Sequence, residues 1–193
     1  MSISLSKGGN ISLSKVEPGL KRVIIGLGWD ARSTDGQDFD LDSSAILLGA
    51  NGKVIRGEDD FCFYNQLSVH NGAIRHSGDN LTGGGDGDDE KIGVDLEKVP
   101  ADRERIVFPV TIDRYEERRQ NFGQVSNAFI RIVNADTKRE IARFDLSEDA
   151  STETAMIFAE LYRNNGEWKF RAIGQGYAGG LKAISRSFGL DTN

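Results

Sequence analysis

Thr154-Ala155-Met156-Ile157-Phe158-Ala159-Glu160-Leu161-Tyr162 and Trp168-Lys169-Phe170-Arg171-Ala172-Ile173 flank Asn164-Asn165-Gly166. Each arm is rich in residues that fill a pleated, half-buried surface, and Asn-Gly supplies the positive φ that a primed turn demands. The stretch therefore reads as a β-hairpin, and the pattern recurs along the chain. Arg22 to Trp29, Ser44 to Leu48, Arg105 to Ile112, Asn127 to Val133 and Ile141 to Leu146 are strand-length apolar or alternating runs. Turn residues separate many of them every 8 to 12 positions. Ile3 to Leu5 and Ile11 to Leu13, on either side of Gly8-Gly9-Asn10, predict an opening hairpin. Helical spacing is confined to Tyr177 to Phe188, where Leu181, Ile184 and Phe188 recur at i, i+3 and i+7, and to a shorter segment over Arg114 to Asn121. The expected fold is all-β, an antiparallel β-sandwich with one or two short helices, formed as a single domain over residues 1–193.

Composition bounds the function. The chain has 193 residues, 38% hydrophobic and 28% charged, with 23 glycines and 3 prolines. Glycine at about 12% exceeds the usual ~7%. A chain of this size buries roughly 70% of its unfolded surface, enough for a substantial core. No apolar run approaches the ~20 residues of a membrane helix, which argues against direct membrane insertion. Met1 to Lys7 lacks the pattern of a secretory signal, and the single Cys62 fits a reducing compartment. The net charge of -6 disfavours nucleic acid as a partner, because phosphate neutralisation needs an excess of Lys and Arg.

The acids are unevenly placed. Asp30, Asp35, Asp38, Asp40 and Asp42 share a short segment with one base, Arg32; Asp79, Asp86, Asp88, Asp89 and Glu90 share another with none. If Asp38-Phe39-Asp40-Leu41-Asp42 begins a strand, period-2 alternation places its three carboxylates on one face, about 6 to 7 Å apart. Such a row is self-repelling unless a cation intervenes, and a hard divalent ion such as Ca²⁺ takes six to eight oxygen ligands. In Gly83-Gly84-Gly85-Asp86-Gly87-Asp88-Asp89-Glu90 the glycines let the backbone fold tightly enough for acids to converge. One such loop alone is commonly a solvated acidic turn; two beside strands favour convergence on shared cations. Neither loop is an EF-hand, since Ser43 or Lys91 stands where that loop needs its sixth-position glycine.

Other motifs carry less. Gly26-Leu27-Gly28-Trp29-Asp30-Ala31 matches G-x-G-x-x-A, but turn residues follow where a dinucleotide site needs a helix. Cys62, between Phe61 and Phe63, reads as a small core residue, and His70 and His76 read as surface groups. The arginines between Asp102 and Arg119 read as a solvated mixed-charge face. No nucleophile–base pair emerges, so no catalytic residue is assigned; a metal-dependent hydrolase using the same carboxylates is the alternative.

Taken together, Asp38-Phe39-Asp40-Leu41-Asp42, Phe61 to Asn65, Gly78-Asp79-Asn80-Leu81-Thr82-Gly83 running into Gly87-Asp88-Asp89-Glu90, Phe122-Gly123-Gln124-Val125, and Asp145 through Glu153-Thr154-Ala155-Met156 to Gly174-Gln175-Gly176-Tyr177 closely resemble the TerD family of tellurium-resistance and stress proteins. The resemblance spans essentially the whole chain. It implies a cytoplasmic, non-enzymatic β-sandwich that binds two calcium ions, in a bacterial system conferring resistance to tellurite, some phages and pore-forming colicins. It also implies partners among other Ter proteins, one of them integral to the membrane. Asp40 and Asp42, with Asp88, Asp89 and Glu90, match the family's calcium motifs; Asp38, Asp79 and Asp86 are additional expected ligands. Two Ca²⁺ would bring the net charge from -6 to about -2. Tellurium itself is not legible in the residues, since a lone Cys62 cannot form a dithiol couple.

Overall fold

The computed structural model describes residues 2–31, 36–78, 80–83, 87–146 and 152–190. Its strands are β1 (Ile3–Ser4), β2 (Asn10–Ser12), β3 (Arg22–Gly28), β4 (Leu41–Ser43), β5 (Ala45–Leu48), β6 (Phe61–Cys62), β7 (Ser68–Val69), β8 (Ile74–His76), β9 (Glu90–Asp95), β10 (Arg105–Ile112), β11 (Phe129–Asn134), β12 (Glu140–Asp145), β13 (Ala155–Asn164) and β14 (Glu167–Tyr177). Three short helices join them: α1 (Leu13–Val16), α2 (Tyr115–Arg118) and α3 (Gly180–Ser187).

The strands form two sheets, a β-sandwich as the alternation predicts. The first runs β1-β12-β11-β3-β9-β8-β7. The second runs β2-β14-β13-β10-β5-β6, with β4 also on β10. Neighbours are antiparallel except β1 on β12. The β13–β14 hairpin is the longest ladder, and Asn165 and Gly166 turn it at φ 52° and 77°, as the Asn-Gly pair predicts.

Between the sheets, Ile25 and Leu27 of β3, Ile132 of β11, Phe108 of β10, Phe158 of β13 and Phe170 of β14 form the main core. Each such side chain, once covered, contributes about 1.5–3 kcal/mol. A second cluster lies outside the second sheet, where Ile184 and Phe188 cover Ile46, Leu48, Val107 and Ile157. Helix α3 begins three residues later than the periodicity suggests, because Tyr177 completes β14. Its Ile184 face is nevertheless the predicted one.

Three expectations are corrected. The serine-rich repeats at the start do not pair with each other: β1 joins β12 in the first sheet and β2 joins β14 in the second. Backbone bonds from Leu5 to Arg143, and between Gly8 or Gly9 and Ala172, draw the two arms onto different sheets. The histidines turn inward rather than outward, His76 buried and His70 half-buried. His76 faces inward on β8, and the His70 ring binds the Asp60 carboxylate at 2.7 Å. Arg103 likewise leaves the expected solvated face: its side chain is 1% exposed and donates from Nε to Asp60 at 2.8 Å. Cys62 is a core residue as expected, and burial pushes its thiol up to about 11.

Candidate metal centre

The two acidic segments meet around Trp29, which follows directly on β3. Its backbone N–H donates to an Asp89 carboxylate oxygen at 3.0 Å, and its indole N–H donates to the Phe39 carbonyl at 3.1 Å. Gly83 packs so closely on the indole that a Cβ there would lie 2.2 Å from Nε1. One buried tryptophan thus holds Phe39, Gly83 and Asp89 at a common end of the sandwich. A further tie joins the sheets, since Ser43 of β4 donates its N–H to Glu90 of β9 at 2.6 Å.

The consecutive acids Asp88, Asp89 and Glu90 point in three directions. Asp89 and Glu90 both stand opposite Leu27, Asp89 through a 2.8 Å backbone bond and Glu90 as its ladder partner. This extra residue shifts the side-chain phase, as a β-bulge does. Glu90 faces inward and is fully buried; one carboxylate oxygen accepts from Ser43 and lies 3.6 Å from His76 Nε2, while Oε1 has no hydrogen-bond partner among the described residues. His76 accepts from the Gly78 N–H at Nδ1, which leaves its Nε2 proton facing Ser43 O at 3.1 Å. Asp89 accepts from Trp29 and from the Asn80 amide at 3.1 Å. Burial raises its pKa, the Trp29 N–H opposes this, and the nearby charges of Asp88, Glu90 and Asp30 add to the rise. Asp88 turns over the outer face of the first sheet, where Arg131 Nε donates to it at 2.6 Å.

That last placement explains the G-x-G string. A Cβ on Gly26 would lie 2.4 Å from the Asp88 carboxyl, and one on Gly28 would lie 2.4 Å from the Phe129 ring. The glycines make room for a carboxylate and an aromatic ring on β3, not for a pyrophosphate.

In the first segment only Leu41–Ser43 is strand, paired with β10. Phe39 and Leu41 enter the core as the alternation predicts. Asp38 is exposed, and its carbonyl accepts the Gln120 amide at 3.2 Å. Asp40 is buried, with Oδ2 lying 3.6 Å from Arg118. Asp42, half-buried, lines a groove of about 380 Å³ with Tyr64, Tyr115 and Leu181. Asp79 and Asp86 lie outside the described residues.

Among the described residues, no three His, Cys, Asp or Glu side chains converge closely enough to hold a metal ion. The donor chemistry nevertheless fits a hard cation. The acids offer only oxygens, Glu90 keeps a buried oxygen without a partner, and Asp89 is crowded by like charge. Trp29, Ser43 and Arg131 complete this end of the molecule without being singled out by the sequence pattern, and His76 and Arg118, expected at the surface, reach it as well. The close glycines at 26 and 28 are the signal that something packs on β3.

The TerD domain model matches residues 1–188. Tellurium resistance protein TerD of Serratia marcescens is 63% identical over 193 residues, covering 100% of both chains. General stress protein 16U of Bacillus subtilis is 58% identical over 191 residues, 98% of each chain. Among solved structures, a homologue of telluride resistance protein (TerD) from Streptomyces coelicolor superposes with a TM-score of 0.71 at 26% identity, over 86% of this chain and 96% of that one. With the sandwich and its acidic end in place, the chain belongs to the TerD family of tellurium-resistance and stress-response proteins.

Proposed function

We propose that this protein is a non-enzymatic calcium-binding module of a tellurite-resistance and stress response, working in the cytoplasm with other Ter proteins, an integral-membrane one among them. The observation that carries the calcium reading is the crowding at one end of the sandwich. Buried Glu90 keeps an unpartnered oxygen beside Asp89, whose proton affinity is raised by burial and by neighbouring carboxylates. Divalent cations bound at this end would relieve both conditions. Asp40, Asp42, Asp89 and Glu90 are the residues that would hold them, with Asp38, Asp79 and Asp86 as further donors; Asp88 would have to leave Arg131 to join them. Two ions are proposed, shared between the two acidic segments. The bound metal would supply charge neutralisation and loop rigidity, and the stiffened end would present a surface to partners. The names of the relatives, which speak of tellurium resistance and general stress, support the cellular role.

Thermal unfolding with EDTA and with Ca²⁺ tests the reading. A ligand at ~100 times its Kd adds about 2.7 kcal/mol, which for a chain of this size is about 5–10 °C in melting temperature. Replacing Asp40 and Asp89 by Asn is expected to remove that shift. Identical curves with and without calcium, together with a flat calorimetric titration, refute calcium binding.

A further inference from the structure

Asp40, buried and on the metal-binding reading a ligand, already faces a cation. Arg118 Nη1 lies 3.6 Å from Asp40 Oδ2, and its Nη2 lies 3.5 Å from Asp113 Oδ2. The Arg118 side chain is 18% exposed, so it reaches down from the surface rather than lying on it. Both separations are too long for a hydrogen bond, and the contact is one of charge alone. Arg131 is different, clamping Asp88 at 2.6 Å and Glu140 at 2.8 Å through aligned N–H groups. Among the described residues, Arg131 is thus locked at the acidic end and Arg118 is loosely held there.

The element carrying Arg118 is a short turn at the surface. Helix α2 is one turn, Tyr115–Arg118, and buries none of its residues. Arg114 and Arg119, immediately before and after it, sit at φ 47° and 52°, a region disfavoured for residues with side chains. One flank of the turn borders the open groove shared by Asp42, Tyr64 and Leu181. Its tether is to the acidic loop itself: the Gln120 amide donates to the carbonyls of Gln37 and Asp38 at 2.9 and 3.2 Å, and Asp113 N–H donates to Asp40 O. Any rearrangement of residues 37–40 around an ion is therefore passed to residues 113–120.

We propose that Arg118 is the internal counter-ion of Asp40 in the metal-free protein, and that calcium displaces it together with α2. The inference rests on the calcium reading and adds to it the element that responds. Calcium competes with a guanidinium for the Asp40 carboxylate, so Arg118 lowers the affinity of the site and couples its occupancy to the shape of the adjoining groove.

The experiment compares calcium titrations of wild type, Arg118→Met, Arg118→Lys and Arg119→Met, with hydrogen–deuterium exchange of the wild type in EDTA and in calcium. Arg118→Met is expected to bind calcium about fivefold more tightly, the size set by one partly screened ion pair. Arg118→Lys and Arg119→Met are expected to stay within about twofold of wild type, the first because it keeps the charge and the second because its charge does not reach Asp40. In the wild type, calcium is expected to increase exchange over residues 114–120 even as the acidic loops become protected. Calcium binding with equal affinity for wild type and Arg118→Met, or protection of 114–120 by calcium, overturns the proposal and leaves the calcium reading standing. Absence of binding by all four proteins overturns both. The exchange measurement needs no variant, so a misfolded Arg118→Met would not rescue the idea.

Discussion

Asp60 shows what a single buried carboxylate does in this protein. It accepts from the backbone N–H groups of Ile55 and Arg56 at 2.8 and 2.7 Å, and from Arg103 and His70 through its other oxygen. Burial pushes its pKa up, but the hydrogen bonds from Arg103, Arg56, Ile55 and His70 outweigh that and hold it below the ordinary value. The stabilisation is thus complete above the unfolded carboxylate's pKa of about 3.9 and is lost as pH falls through the lower folded value. Asp60→Asn leaves the buried Arg103 guanidinium with only the exposed Asp102 carboxylate, 2.7 Å from its Nη1, as counter-charge and is expected to cost about 3 kcal/mol at pH 7. Urea unfolding should show this gap at pH 7 and a smaller one near pH 3. A variant as stable as wild type at pH 7 would mean that Arg103 finds relief elsewhere. Nothing in the pattern around Asp60 sets it apart from Glu58 and Asp59; only the fold aims it inward, and so both it and Arg103 escape a reading from sequence.

Among the elements, helix α3 shows how an amphipathic stripe can be legible while its destination is not. The spacing of Leu181, Ile184 and Phe188 identifies the apolar face, but no local pattern says that it covers the outside of a sheet already packed on its other side. Ile184 is 0% exposed there. Ile184→Ala is expected to cost about 2–5 kcal/mol, as for other core truncations, with the inter-sheet core left in place. Near-ultraviolet circular dichroism and calorimetry would separate that outcome from global loss of packing. The long strands β10, β13 and β14 follow from their apolar runs and the Asn-Gly turn. Strand β9 does not, because Gly93 divides Ile92 from Val94 and acids or lysine occupy the positions around them; its order comes from pairing with β3 and β8. The candidate site divides the same way. The acids are visible as a local excess, whereas the three directions taken by Asp88, Asp89 and Glu90 depend on one extra residue opposite Leu27.

For the whole molecule, ten of the acids behind the net charge of -6 fall in two short segments, so the cost of that charge depends on ionic strength. Raising NaCl from about 10 to 150 mM shortens the screening length from roughly 30 to 8 Å. The melting temperature in EDTA is expected to rise over that range, and to rise less with calcium present. Equal salt dependence in the two conditions would separate the acidic end from the proposed ion. The N-terminal segment sets a different constraint, one of timing. Strand β1 pairs with β12 and β2 with β14, so the first dozen residues find their places only against strands made after residue 139. During synthesis at about 5–20 residues per second, the first dozen residues wait about 6–30 seconds for those partners to be made. The two sheets are therefore closed by the oldest part of the chain last, and a nascent chain lacking β14 has exposed strand edges that the finished protein covers.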